Sequence, residues 1–430
     1  GGLAYRLLRR VMEVRPEEVS ALAWSWLYIF SVLSSYYIMR PIRDQMGVAG
    51  GVGNLQWLFL GTLAGMLILN VPFAYLVKTL ARTRFIPITY RFFAANILLF
   101  ALVLHSADPE QTIWVGRAFF IWISVFNLFV VSVFWALIVD IFGSEQGKRL
   151  FGFIAAGATI GAIFGSGVTA SLARYVPTPF LLIGSVALLE AAVFSVRRLS
   201  RLAPALHAEK ASATDRPIGG NIFAGITHPF KSAYLANVSL FMLLFTITST
   251  FLYFQQAGIV SQSFLDRGAQ TAFFATVDLL VNGLTLVVQL FLTGRILRFL
   301  GVGLTLALLP ALCVLGFGAL APTVAAIVAF QVLRRSSDYA IARPTREVLY
   351  TVVPREDRYK AKNFIDTVVY RAGDQVGAWS YALLSVLGLG TAGIAIVAIP
   401  LSAAWLINGL WIGRRQEFMA AKTARKTQAV

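Results

Sequence analysis

Residues 334–379 read RRSSDYAIARPTREVLYTVVPREDRYKAKNFIDTVVYRAGDQVGAW, and this stretch decides how the rest of the chain is read. It holds Arg334, Arg335, Asp338, Arg343, Arg346, Glu347, Arg355, Glu356, Asp357, Arg358, Lys360, Lys362, Asp366, Arg371 and Asp374, about a quarter of the charge in about a tenth of the length. Apart from a polar loop at 355–362, these charges ride on apolar helical sequence. Ionisable groups at membrane depth are costly unless they face a wet cavity or a partner. The stretch is therefore expected to line a working interior.

Outward from it the chain is mostly apolar. The composition is 58% hydrophobic and the mean hydropathy is +0.73, beyond an ordinary soluble domain. Apolar segments of about 20 residues, the length that crosses a bilayer as a helix, recur throughout. They are expected at 19–40, 52–77, 85–105, 112–141, 149–172, 178–197, 232–258, 270–298, 301–319, 322–350, 361–387 and 390–413. The fold class is thus an all-α membrane protein with twelve transmembrane helices in two six-helix halves. The N-terminal half covers 1–197, the C-terminal half covers 232–430, and a polar cytoplasmic linker at 198–231 joins them. Two halves around a midplane site are the architecture of a secondary transporter.

The net charge of +17 brings nucleic acid to mind, but the placement of the charges argues against it. With the N-terminus in the cytoplasm, 26 Lys and Arg fall in inner segments, against Arg174 and Arg267 in outer loops. That bias places both termini inside and assigns most basic residues to topology and lipid headgroups. No cleavable signal peptide is expected, because charged residues from Arg6 to Glu18 precede a full-length span. The one cysteine, Cys313, offers no disulfide or metal spacing, and His105, His207 and His228 are scattered. GSEQGKR at 143–149 is one residue short between its glycines for a phosphate loop, and Arg149 follows Lys148 where that motif needs Ser or Thr. It reads instead as a tight cytoplasmic turn. Nothing suggests an enzyme, a cofactor or a metal.

The halves repeat weakly. KRLFGFIAAGATIGAIFG from Lys148 aligns without gaps on KAKNFIDTVVYRAGDQVG from Lys360, matching Gly161 with Gly373 and Gly165 with Gly377. Small residues four apart on one helix face let another helix approach closely, whether for packing alone or for sliding.

Two segments share Arg-Pro-x-Arg-acid: Arg40-Pro41-Ile42-Arg43-Asp44 and Arg343-Pro344-Thr345-Arg346-Glu347. The arginines are three apart and share a face. The proline frees a backbone carbonyl and bends the helix. Guanidinium suits phosphate or carboxylate oxygens in paired hydrogen bonds. Arg40, Arg43, Arg334, Arg343, Arg346 and Arg371 are therefore candidate anion-binding residues, with Tyr339 as an aromatic neighbour. Tyr36, Tyr37, Phe134, Trp135, Tyr350 and Tyr370 also lie near the charges and are suited to stacking on a base, or to packing. Asp44, Glu145, Lys148, Asp278, Glu347 and Asp374 are candidates for gating or coupling. The plainer reading is that each arginine is neutralised by a nearby acid, as Arg371 by Asp374 three residues on, or snorkels to the interface.

Together YYIMRPIRDQMG, SVFWALIVDIFGSEQGKRLFG, DYAIARPTREVLYTVVP and KAKNFIDTVVYRAGD resemble the ATP/ADP translocase family, nucleotide transporters of plastids and obligate intracellular bacteria related to the major facilitator fold. The likeness covers about a third of the chain strongly. It implies a major-facilitator-like protein, acting as a monomer among membrane lipids, that exchanges ATP for ADP or a related phosphorylated anion by alternating access. It maps a family basic-acid pair onto Arg43 and Asp44, and a family Asp-Pro-Thr-Lys-Glu pattern onto Arg343-Pro344-Thr345-Arg346-Glu347. It also matches family charges to Glu145 and Lys148. This sequence departs from the pattern by carrying arginine for lysine at Arg43 and Arg346, a base for an acid at Arg343, and Gln270 where an acid is expected. These departures point to a divergent branch whose substrate is a nucleotide or another phosphorylated or carboxylated metabolite. A proton-coupled or facilitative carrier of another organic anion, or a lipid-handling protein, is the alternative.

Overall fold

The computed structural model describes residues 14–80, 82–207, 232–319, 323–354, 361–362 and 364–428, and among them the regular structure is helical. The first half contributes α1 (Glu18–Ala49), α2 (Leu55–Thr79), α3 (Arg82–Ser106), α4 (Pro109–Leu172) and α5 (Thr178–His207). The second contributes α6 (Ala233–Ser263), α7 (Arg267–Phe291), α8 (Thr293–Ala319), α9 (Val324–Ser337), α10 (Arg343–Leu349), α11 (Tyr370–Val386) and α12 (Thr391–Gln428).

Among the described residues ten segments are long and apolar enough to cross a membrane, and two of them, Pro109–Trp135 and Leu150–Leu172, lie within α4. The charged stretch is helical in broken pieces, α9 with α10 and then α11, because its charge density defeats a long apolar run. The chain is a multi-pass membrane protein.

α4 is one helical run of 64 residues, where a turn is expected at 143–149. Its two ends nevertheless pack on α1 in opposite senses. Gly116, Phe120 and Phe134 meet Met46, Arg43 and Tyr28 in that order. Gly157, Gly161 and Gly165 meet Trp26, Phe30 and Ser34. The run therefore doubles back between Phe134 and Gly157, as the two expected spans require. Asp108 starts it with a capping box: its carboxylate accepts from the Gln111 N–H at 2.8 Å, and Gln111 Oε1 accepts from the Asp108 N–H at 3.3 Å.

α5 continues to His207, ten residues beyond the end expected for its span. The rest of the expected linker, 208–231, lies outside the described residues. α8 carries a break at Gly301 (φ 70°), and the Val302 N–H beyond it donates to Glu417 Oε1 of α12 at 3.0 Å. A left-handed φ is cheap only for glycine.

The chain divides into two compact units interleaved in sequence. The first comprises Gly1–Gly51, Gly61–Arg216 and Phe264–Leu279; the second comprises Val52–Leu60, Pro217–Ser263 and Leu280–Val430. In the first, a Cβ built on Gly161 would lie 2.5 Å from the Phe30 carbonyl oxygen, so α4 touches the backbone of α1. Ser34 Oγ donates to the Gly161 carbonyl at 3.1 Å, and Thr169 Oγ1 to that of Ile38 at 3.2 Å. In the second unit Gly373 and Gly377 of α11 pack closely against threonine side chains of α6, with Cβ positions 2.7 Å and 2.9 Å from the Cβ atoms of Thr246 and Thr250. The glycine pairs aligned by the internal repeat thus make the same kind of contact, on α1 and on α6.

Each unit also holds a segment whose sequence belongs to the other half. In the first, Arg40 Nη1 stands 3.6 Å from Asp278 Oδ1, and Gln45 Nε2 donates to Gln270 Oε1 at 3.3 Å. In the second, Gln375 Nε2 donates to the Phe59 carbonyl at 3.1 Å, and the rings of Trp57 and Trp379 meet edge to face at 4.9 Å.

Candidate functional site

The site is built on the helix that Pro344 interrupts. Between α9 and α10 the backbone makes a π-turn, Asp338–Ala342, in which the Arg343 N–H donates to the Asp338 carbonyl. Pro344 has no N–H for the carbonyl of Ala340, four residues back. Thr293 Oγ1 donates to that carbonyl instead, at 2.7 Å. Membrane helices tolerate proline where a side chain serves the released carbonyl in this way. A second π-turn, Ile365–Val369, leads into α11. Single π-turns inside helices recur at functional sites.

The π-turn sets the side-chain register. In a regular α-helix, residues five apart point about 140° apart around the axis. Widening one turn to i→i+5 brings Asp338 and Arg343 together, and Arg343 Nε donates to Asp338 Oδ2 at 3.1 Å. Arg346 Nη2 stands 3.6 Å from Asp338 Oδ1, an ion pair too long for a hydrogen bond. Arg334 lies one turn before Asp338 and is 3% exposed; its Nε and Nη2 have no hydrogen-bond partner among the described residues. The guanidiniums of Arg334 and Arg346 lie 5.3 Å and 5.0 Å from the centre of the Phe245 ring of α6, and that of Arg343 lies 4.4 Å from the ring of Tyr339. Aromatic faces attract cations at such distances.

Beside this cluster is a cavity of about 280 Å³, lined by Val238, Phe241 and Met242 of α6, by Arg343, Arg346, Glu347 and Tyr350, and by Asp366 and Tyr370. Two guanidiniums, two carboxylates and two phenols share its wall. Glu347 is held from its other side by Lys362 at 2.5 Å. Guanidinium forks bind phosphate oxygens, phenol rings stack on bases or sugars, and carboxylates accept from hydroxyl or amino groups.

The structure sorts the sequence candidates into groups. Arg343, Arg346 and Glu347 line the cavity, with Tyr339 beneath Arg343 and Arg334 buried behind. Arg371 Nη1 pairs with Asp374 Oδ2 at 3.1 Å, the local pair that their spacing suggests, and neither lines the cavity. Arg40, Arg43, Asp44 and Asp278 belong to the first unit. There Arg43 donates to Asp44 Oδ1 through Nη2 at 2.7 Å and Nε at 3.0 Å, and its guanidinium lies over Phe120. Arg40 reaches Asp278 and the ring of Tyr37. Glu145 and Lys148 lie outside the residues whose side chains are described. Of the aromatic candidates, Tyr350 and Tyr370 reach the cavity, while Phe134 is wholly buried against Tyr28.

Sequence reasoning missed the α6 wall. Val238, Met242 and Phe245 follow i, i+4, i+7 spacing on a helix face with no charge, so nothing sets them apart from ordinary core. It also recorded Asp338 as one charge among several. That it is the shared partner of Arg343 and Arg346 depends on the π-turn, which has no sequence signature beyond the nearby proline.

The helical bundle gathers opposed charges on one cavity, and comparison with known proteins bears on its fold. No family model matches the chain. Over 97% of its length it is similar to ADP,ATP carrier protein 1 of Chlamydia muridarum (strain MoPn / Nigg), with 21% identity and 94% of that protein covered. Among solved structures it is similar to the nucleoside transporter NupG, with a TM-score of 0.59, 14% identity, and 93% of this chain and 98% of that one covered. It is also similar to a bacterial homologue of the iron transporter ferroportin, with a TM-score of 0.58, 12% identity, and the same coverage of 93% and 98%. At such identities the structural likeness establishes the fold.

Proposed function

We propose that the protein is a secondary transporter that exchanges nucleotides of the ATP/ADP kind, or a related phosphorylated anion, across a bacterial inner membrane by alternating access. In this reading both termini are cytoplasmic, the halves 1–197 and 232–430 move about the linker 198–231, and the protein works as a monomer. Arg343 and Arg346 hold phosphate oxygens; Tyr350 or Tyr370 stacks on the base. The observation that carries the reading is the cavity wall where two guanidiniums stand beside two phenols. Similarity along nearly the whole chain to an ADP,ATP carrier supports the substrate class. The test is a thermal-shift screen of the purified protein with ATP, ADP, sugar phosphates and inorganic phosphate. Stabilisation by nucleotides above that by phosphate supports the reading; no response to any phosphorylated solute defeats it.

A second reading rests on Glu347 and Asp366, carboxylates on the same wall. A protonatable acid beside an anion site suits proton-coupled uptake of another organic anion. Uptake that follows an imposed pH gradient, with no solute inside the vesicle, selects that reading over exchange.

A further inference from the structure

Asp338 occupies an unusual position for a carboxylate. It is 2% exposed, it does not line the cavity, and the two guanidiniums that do line it are both turned to it. The π-turn brings Arg343 Nε within 3.1 Å of Oδ2. The other oxygen, Oδ1, has no hydrogen-bond partner among the described residues and meets Arg346 at 3.6 Å. Two guanidiniums thus share one acid, and a third, that of Arg334, lies buried one turn away. A buried guanidinium without an anion is costly, and so is a buried pair broken by losing one partner. Asp338 is thus divided between two donors that face the cavity, Arg346 with a side chain 14% exposed and Arg343 with one 54% exposed, while Glu347 and Asp366 stand on the cavity wall itself.

We infer that Asp338 is an internal counter-anion that competes with the cargo for Arg343 and Arg346, and so sets both the affinity for the anion and the ease of its release. This rests on the reading of the cavity as an anion site. When the cavity is empty, Asp338 holds the arginines in place. When an anion enters, Arg346, bound to Asp338 without a hydrogen bond, turns to it first, and Arg343 shares its five N–H donors between carboxylate and cargo. When the anion leaves, Asp338 takes the arginines back, which lowers the cost of exposing them unpaired. Asp338 acts through the arginines rather than on the cargo, so it is a positioning residue.

The test compares binding and exchange of ADP, with inorganic phosphate as a second probe, for wild type, Asp338→Asn and the double variant Asp338→Asn/Arg334→Gln. The double variant removes one buried guanidinium together with the acid, so it covers the case in which the single variant does not fold. Losing the competitor frees charge-assisted hydrogen bonds, so each folded variant binds ADP about tenfold more tightly and turns over more slowly, with KM and kcat falling together. A purely structural role lowers Tm and yield while leaving KM unchanged. ADP affinity unchanged or weakened in the folded variants overturns the inference while leaving the anion site intact. A wild-type protein that binds neither ADP nor phosphate overturns both.

Discussion

Replacing Arg346 with glutamine separates a residue that holds the cargo from one that holds the fold. Arg346 lines the cavity, its side chain is 14% exposed, and its ion pair with Asp338 is 3.6 Å long. Asp338 keeps Arg343 at 3.1 Å when Arg346 is gone, so the folded state loses a long electrostatic contact, the stacking on Phe245 and a weak hydrogen bond from Nη1 to Met242 Sδ at 3.9 Å. The cargo loses a charge-assisted hydrogen bond worth about 1.5–3 kcal/mol. At about 1.4 kcal/mol per factor of ten, affinity for ADP falls roughly 10- to 150-fold. The assay is calorimetric titration of detergent-purified protein with ADP, beside Tm measured without ligand. Arg198→Gln is the control, since Arg198 stacks on Phe194, is not among the residues lining the cavity, and its replacement removes the same formal charge. The reasoning is refuted if Arg346→Gln binds ADP as tightly as wild type, or if Arg198→Gln weakens binding as much.

Gly161→Ala places a methyl group against the Phe30 backbone, and overpacking of this kind costs about 1–3 kcal/mol. Gly258→Ala, where nothing lies within 4 Å, gains up to about 1 kcal/mol from helix propensity, so their Tm values move in opposite directions. Thr293→Val leaves the Ala340 carbonyl without its donor, at a cost of about 1–3 kcal/mol; amide exchange checks this, with faster exchange confined to the helix around Pro344. Arg40 and Asp278 form a largely buried pair within the first unit. A double-mutant cycle with Arg40→Gln and Asp278→Asn gives a coupling of about 0.5–3 kcal/mol in Tm-derived stability, and additive effects rule the pair out as an energetic contact.

Much of the bundle is legible in the sequence, because hydrocarbon enforces a simple code of long apolar helices. The paired glycines are legible for a related reason: Gly161 and Gly373 recur at the same place in each repeat and meet α1 and α6 in the same way. The site is only half legible. Arg343, Arg346 and Glu347 stand out as charges on apolar helix, yet the same signal also marks Arg371 and Asp374, which pair with each other. Hydropathy cannot distinguish an arginine that faces a cavity from one three residues away from its own acid. The register set by the π-turn at Asp338–Ala342 and the apolar wall from α6 arise from tertiary packing and backbone geometry, so they become visible only in the fold.

The most direct measurement is counter-exchange in liposomes reconstituted with the purified protein. Vesicles loaded with unlabelled ADP, or left empty, are presented with labelled ATP outside at equal pH on both sides. The account predicts ATP uptake that depends on internal ADP and is lost in Arg346→Gln. Uptake of the same size into empty vesicles contradicts exchange, and wild-type vesicles that take up no phosphorylated solute contradict the anion site itself.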